Sequence, residues 1–197
     1  LSPAAMLARM QQGGAGQGRF RLLAGRRRDT ASRQATLRGA IDWSWDLLEP
    51  WERAAFTQLS IFEGGFTLEA AEAVLDLSAE LPEDQLPWPE DAVQALLDSS
   101  LLYLASGDDA LRYGMLRSLQ DYGREKLSTD AAATARARHR AHFATLGTLE
   151  ALLALGGPDG PALRQALWLE QANLEAAARD ALAAGDAEGA GRCALAV

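Results

Sequence analysis

The sequence predicts a mainly α-helical protein that carries one β-hairpin. Of 197 residues, 40 are alanine and 33 leucine, whereas valine and isoleucine together number five. Helices favour the first pair and sheets the second. Apolar residues also recur at three- and four-residue spacing over most of the chain. Only one stretch reads as paired strands: Leu101–Ala105 and Leu111–Met115, joined by a turn at Gly107-Asp108-Asp109. This composition argues against a β-sandwich, a barrel or a doubly wound parallel sheet.

The elements follow in order. Ser2 and Pro3 cap and start a short helix to Met10. Gly13, Gly14, Gly16 and Gly18 form a loop, and Arg19–Arg28 is basic. Ser32 caps a helix running to Leu48, with Leu37, Ile41, Trp45 and Leu48 on one face and Ala40, Trp43 and Leu47 on a second. An apolar arc that wide predicts burial on two sides. Pro50 restarts the helix, Phe56, Leu59 and Phe62 are core candidates, and Gly64-Gly65 ends the unit. Thr67 caps a helix through Leu75 with Leu68, Ala71 and Leu75 inward. Pro82, Pro87 and Pro89 mark a loop before a helix over about 89–98, with Val93, Leu96 and Leu97 inward. The hairpin and a helix over about 116–127 complete the series. Helix, helix, helix, hairpin, helix is a winged-helix arrangement, a variant of the helix-turn-helix.

Beyond Ser128 the reading is all-helical. Phe143, Leu146, Leu149 and Leu153 share a face, and Gly156-Gly157-Pro158 and Gly160-Pro161 interrupt the chain. One helix over about 161–184 carries Leu163, Leu167, Leu174 and Leu182, and Gly185-Asp186 closes it and caps the next. Successive helical hairpins of this kind begin a TPR-like repeat array.

Charge is unevenly spread. The chain carries a net −8, with +7 over residues 1–40, −15 over 41–110 and zero beyond. The third helix of the winged-helix arrangement would enter the major groove, yet it holds Glu90, Asp91 and Asp98 and no Arg or Lys, and the hairpin tip holds Asp108 and Asp109. Affinity for DNA rests largely on Lys and Arg contacts to phosphate, so no direct DNA binding is expected. The basic segment, with Arg26, Arg27 and Arg28, is an interface candidate, as are Trp43 and Trp51.

No catalytic constellation is signalled. Gly13 and Gly18 have P-loop spacing, but Arg19 and Phe20 stand where Lys and Ser/Thr are needed, so the segment reads as a linker. His139 and His142, three apart, lack further ligands for a zinc site and read as polar helix residues. Cys193 is the only cysteine, which fits a reducing cytosol, and reads as core or interface. No apolar run is long enough to span a membrane. The chain opens on Leu1 without a signal-peptide pattern and reads as an excised piece of a longer cytoplasmic protein.

Several segments carry a family resemblance. They are RQATLRGAIDWSWDLL (33–48), LSIFEGGFTLEAAEAV (59–74), LLDSSLLYL (96–104) and YGMLRSLQDYGREKL (113–127). Together they resemble the winged-helix region of bacterial NB-ARC or STAND signalling ATPases, in particular the large LuxR-type and SARP-type regulators. The stretch from Leu169 through Asn173 to Asp186 is similar to the start of their repeat tails. The resemblance implies residues 1–32 as the end of a small helical domain and a basic linker, 33–128 as a winged-helix domain, and 129–197 as a TPR-like segment. It further implies a regulatory fragment that packs in cis on an upstream nucleotide-binding domain as a conformational switch, with a protein or small-molecule effector on the tail. ATP or ADP and Mg²⁺ would belong to the parent ATPase, with no cofactor and no enzymatic activity in this piece. The family's M-H-D nucleotide sensor matches Met115, Leu116 and Arg117. Leu116 cannot donate a hydrogen bond to phosphate, whereas the Arg117 guanidinium can. The alternatives are a stand-alone winged-helix DNA-binding regulator and a helical scaffold or dimerisation module.

Overall fold

A computed structural model describes residues 36–105 and 111–197. The segments Ser2–Met10 and Gly13–Gly18, the cap at Ser32, Arg26, Arg27 and Arg28, and the hairpin tip with Asp108 and Asp109 lie outside them. The chain divides into two units, Leu1–Leu47 and Leu48–Val197.

In the first unit, residues 36–46 form helix α1. It stops two residues short of the expected Leu48, in a turn before Pro50, because a residue preceding proline is disfavoured in the α conformation and the chain leaves the helix early. Ile41 is buried and Trp45 half-buried, but Trp43 is 68% exposed and Ala40 and Leu47 are also exposed. The expected burial of this second stripe is therefore not observed.

In the second unit, α2 spans Pro50–Leu59, opened by Pro50 and by a capping box in which Glu49 and Glu52 exchange hydrogen bonds. Helix α3 spans Leu68–Val74, and the Thr67 hydroxyl accepts from Ala70 N at 3.2 Å. Helix α4 spans Pro89–Asp98 and buries Ala92, Val93 and Leu96. It ends with Ser100 in the left-handed region (φ 57°), Leu101 N donating to Leu96 O and Ser100 N to Leu97 O. That is a Schellman closure built on a serine in place of the usual glycine.

Strands β1 (Tyr103–Ala105) and β2 (Arg112–Gly114) pair antiparallel, with Leu104 opposite Tyr113. Phe66 adds one more pairing: its N–H donates to Tyr113 O at 2.9 Å and its carbonyl accepts from Tyr113 N at 2.8 Å. Gly65 (φ +92°) makes this approach possible, since a Cβ there would stand 2.8 Å from Tyr113 O. Helix α5 (Arg117–Lys126) packs on α2.

Helix α6 (Thr129–Thr145), capped by Ser128, runs between two groups of helices. On one side it meets α2 and α3, and on the other α9 (Gln171–Ala183) and α10 (Ala187–Leu195). The short α7 (Leu149–Ala154) and α8 (Gly160–Leu169) lie between. Gly185 (φ +77°) and the Asp186 cap on Gly189 N separate α9 from α10 as expected.

Two expectations fail in this half. The chain breaks after Thr145, so Leu149 and Leu153 leave the Phe143 face and are 74% and 69% exposed. The single helix expected over 161–184 is two helices, interrupted at Glu170, whose side chain is drawn inward by an ion pair. Leu174 is fully buried, whereas Leu182 is exposed.

The core runs as a line of rings. Tyr113 stacks near Phe66, Phe66 on Phe62 at 4.7 Å, Phe62 meets His139 edge-on at 5.2 Å, and His139 lies 4.6 Å from Phe143. No helix among the described residues is long and apolar enough to cross a membrane.

Candidate functional site

The chain leaving α2 at Ser60 turns through Ile61, Phe62 and Glu63 before reaching Gly64, and its carbonyls need donors. They come from far along the sequence. Arg124 of α5 donates through Nε to Ser60 O at 2.8 Å and through Nη2 to Ile61 O and Phe62 O at 3.3 and 3.5 Å. The same Nη2 meets the Glu63 carboxylate at 2.8 Å. Gln120, also on α5, donates to Phe62 O.

Asn173, fully buried on α9, completes the turn. Its Oδ1 accepts from Glu63 N at 2.7 Å, and its Nδ2 donates to Gly65 O and to Glu170 Oε2, both at 2.8 Å. The other Glu170 oxygen forms a buried ion pair with Arg112 of β2, and Arg112 Nη2 also donates to Leu169 O at 3.3 Å. A continuous polar seam therefore joins the hairpin, the α2–α3 turn and α9.

A second guanidinium repeats the device. Arg138 of α6 donates to Val74 O at 2.6 Å, where α3 ends, to Gln58 Oε1 at 3.0 Å and to Asp76 at 3.1 Å. Ser78 and Arg138 hold the Asp76 carboxyl below its ordinary pKa, Ser78 contributing most.

The described site candidates differ in exposure. Met115 is half-buried and Leu116 is 59% exposed, immediately before α5. Arg117 stands at the surface, its guanidinium 3.2 Å from Asp121 and 3.5 Å from Glu63. Trp51 is half-buried on α2 and Trp43 exposed on α1. Glu90, Asp91 and Asp98 are exposed on α4, with Asp98 accepting from Gln94 at 2.7 Å.

His139 does not fit the reading as a polar helix residue. His139 is 2% exposed, Nε2 finds no hydrogen-bond partner, and burial pushes its pKa down to about 4 despite opposition from Asn173, Glu170 and Glu63. His142 is half-buried, and burial lowers its pKa against the pull of Glu69 and Glu170. Cys193 is fully buried in α10, which raises its thiol pKa. Among the described residues, no group of three His, Cys, Asp or Glu side chains could hold a metal ion.

Arg112, Arg124, Arg138, Glu170 and the partners of Asn173 escaped the reading of the sequence. The signal available was a charged residue between Leu111 and Tyr113 in a strand, and Glu170 and Asn173 inside an Ala/Leu-rich helical stretch.

Comparison with known proteins adds context. A Mycobacterium tuberculosis (strain ATCC 25618 / H37Rv) protein, assigned by name alone to the HTH-type transcriptional regulators, is 39% identical over 127 residues. A Mycobacterium bovis protein of the same description matches equally. The match covers 64% of this chain and 14% of each relative. A second M. tuberculosis protein, named only as uncharacterized, is 32% identical over 144 residues, or 73% of this chain and 34% of that protein. The chain thus spans a minor part of the curated relatives it matches. No family model and no solved structure matches it.

Two outcomes follow. Arg112→Met leaves the Glu170 carboxylate buried without its cation, and should cost about 3–5 kcal/mol in urea unfolding. Arg112→Met combined with Glu170→Gln should recover part of that loss, since the neutral amide can still accept from Asn173. For His139, the unfolded imidazole titrates near 6.5 and the folded one near 4. Stability is fully present above pH 6.5 and falls as pH drops from 6.5 to 4, by about 3 kcal/mol in all at 1.36 kcal/mol per pKa unit. In His139→Leu, urea midpoints compared at pH 7 and pH 4.5 should show that part of the acid sensitivity removed.

Proposed function

We propose that this chain is a regulatory and interaction segment of an HTH-type transcriptional regulator built as a STAND-type ATPase. In this reading α2, α3, α4, the hairpin and α5 form a winged helix used for packing, and α6 to α10 begin a TPR-like tail. The segment packs in cis on a nucleotide-binding domain and moves as a body when the tail is engaged, a rigid-body switch. The division at 32/33 and 128/129 belongs to this proposal, as does a cytoplasmic location.

The observation that carries it is the polar seam. Arg112–Glu170 and Asn173 tie the tail-like helices to the hairpin and to the α2–α3 turn. Motion of the tail and of the winged-helix unit is then coupled, as a switch requires. The regulator names of the mycobacterial relatives support the regulatory class.

In this reading the nucleotide is held by the other domain. The Leu116 side chain has no donor, and the Arg117 guanidinium is already shared with Glu63 and Asp121. Arg117 is exposed enough to reach a phosphate presented by another domain, and this one contact is what the proposal assigns to it. ATP or ADP with Mg²⁺ would supply the switching energy in the parent protein. In the full-length protein, Arg117→Ala should speed ADP release measured by stopped-flow fluorescence; an unchanged off-rate removes Arg117 from the sensor.

A second reading, direct DNA binding, is favoured by the helix-turn-helix in the relatives' names. The acidic surface of α4 opposes it, since Glu90, Asp91 and Asp98 would face phosphate. Fluorescence anisotropy with duplex DNA at physiological salt should show no complex at protein concentrations up to about 10⁻⁶ M. Tighter, salt-sensitive binding would replace the packing role with a DNA-reading one.

A further inference from the structure

A cavity of about 260 Å³ opens between the end of α6, α7, α8 and the start of α3. Its body is apolar, lined by Phe143, Leu146, Leu155, Leu163 and Leu167 among others. Four polar side chains, Arg112, Glu170, Glu69 and His142, share its lining. The volume is just below the roughly 300–1,000 Å³ usual for small-molecule pockets, and an apolar body with a few convergent polar groups is their usual lining.

The charges in the lining select the ligand's head group. Arg112 is neutralised by Glu170, Glu69 adds a negative charge, and burial holds the His142 pKa below its ordinary value. An anionic head would meet excess negative charge. A cationic head would have to be desolvated among leucines, with only the exposed Glu69 to offset the cost. An uncharged acceptor is left. Arg112 uses two of its five N–H groups in the bonds to Glu170 and Leu169, and a guanidinium keeps the rest for other acceptors.

We propose that this cavity is a binding site for a small uncharged amphiphile. Its alkyl or alicyclic body lies between α6, α7 and α8, and a hydroxyl or carbonyl head points at Arg112 and His142. Helices α7 and α8 bury almost none of their own side chains, Gly160 alone being buried, so a ligand there supplies apolar contacts that the walls otherwise lack. The site also abuts the Arg112–Glu170 pair, which places an occupant against the seam that couples tail and hairpin. Only that regulatory consequence rests on the switch reading; the binding itself does not.

The test is isothermal titration calorimetry of this chain with 1-octanol, octanoate and octylamine at pH 7.5. The expected result is saturable binding of 1-octanol at one site, with octanoate and octylamine at least about tenfold weaker, the equivalent of 1.4 kcal/mol. Ala151→Trp, which fills the cavity, should abolish the signal. Leu163→Trp on the opposite wall serves as the second filling variant, each checked for folding by circular dichroism. The proposal is overturned if 1-octanol shows no saturable binding, if either charged analogue binds more tightly, or if both folded filling variants bind as the parent does. None of these outcomes depends on DNA binding or ADP release, so the cavity and the switch can fail separately.

Discussion

The fold depends on one requirement: the backbone between α2 and α3 must have its hydrogen bonds satisfied while buried. The turn from Ser60 to Gly65 offers carbonyls and an amide that neither helix can satisfy. An orphaned buried polar group costs about 1–3 kcal/mol. Arg124 and Gln120 reach it from α5 and Asn173 from α9, across 58 to 110 residues of chain. The aromatic line from Tyr113 to Phe143 passes through the same turn at Phe62 and Phe66. The hairpin, α5 and α9 are thereby tied to a single short segment.

Much of the fold was legible because its causes are local. Thr67 and Asp186 cap the helices that follow them, and Pro50 starts its helix, since caps and first turns are set within a few residues. The hairpin was legible by contrast with its surroundings. Failures came where a distant partner overrode local pattern. Apolar spacing runs unbroken through Glu170, yet the helix is interrupted there, at the residue whose carboxylate pairs with Arg112, 58 residues away. His139 looked polar by type, and its packing against both Phe62 and Phe143 makes it core. The seam was illegible for the same reason: Arg124 and Arg138 sit on exposed-looking helix patterns, and their roles are defined by the backbone carbonyls they meet.

The charge asymmetry bears on the function through position. Glu90, Asp91 and Asp98 are exposed on α4, whereas three cations of the second unit, Arg112, Arg124 and Arg138, serve as structural donors. Arg112, Arg124 and Arg138 all terminate on protein carboxylates or carbonyls. Those three guanidinium groups hold the chain together across 57 to 80 residues of sequence.

The amide of Glu63 carries a further consequence. It lies in a turn, where backbone N–H groups ordinarily exchange with solvent deuterium at nearly the rate of an unfolded chain. Its acceptor, however, is the side chain of Asn173 on α9. That amide can exchange only when α9 lifts away, so a loop position would record the opening free energy of the C-terminal helices. A single proton in the first third of the chain becomes a gauge of whether the last third is docked.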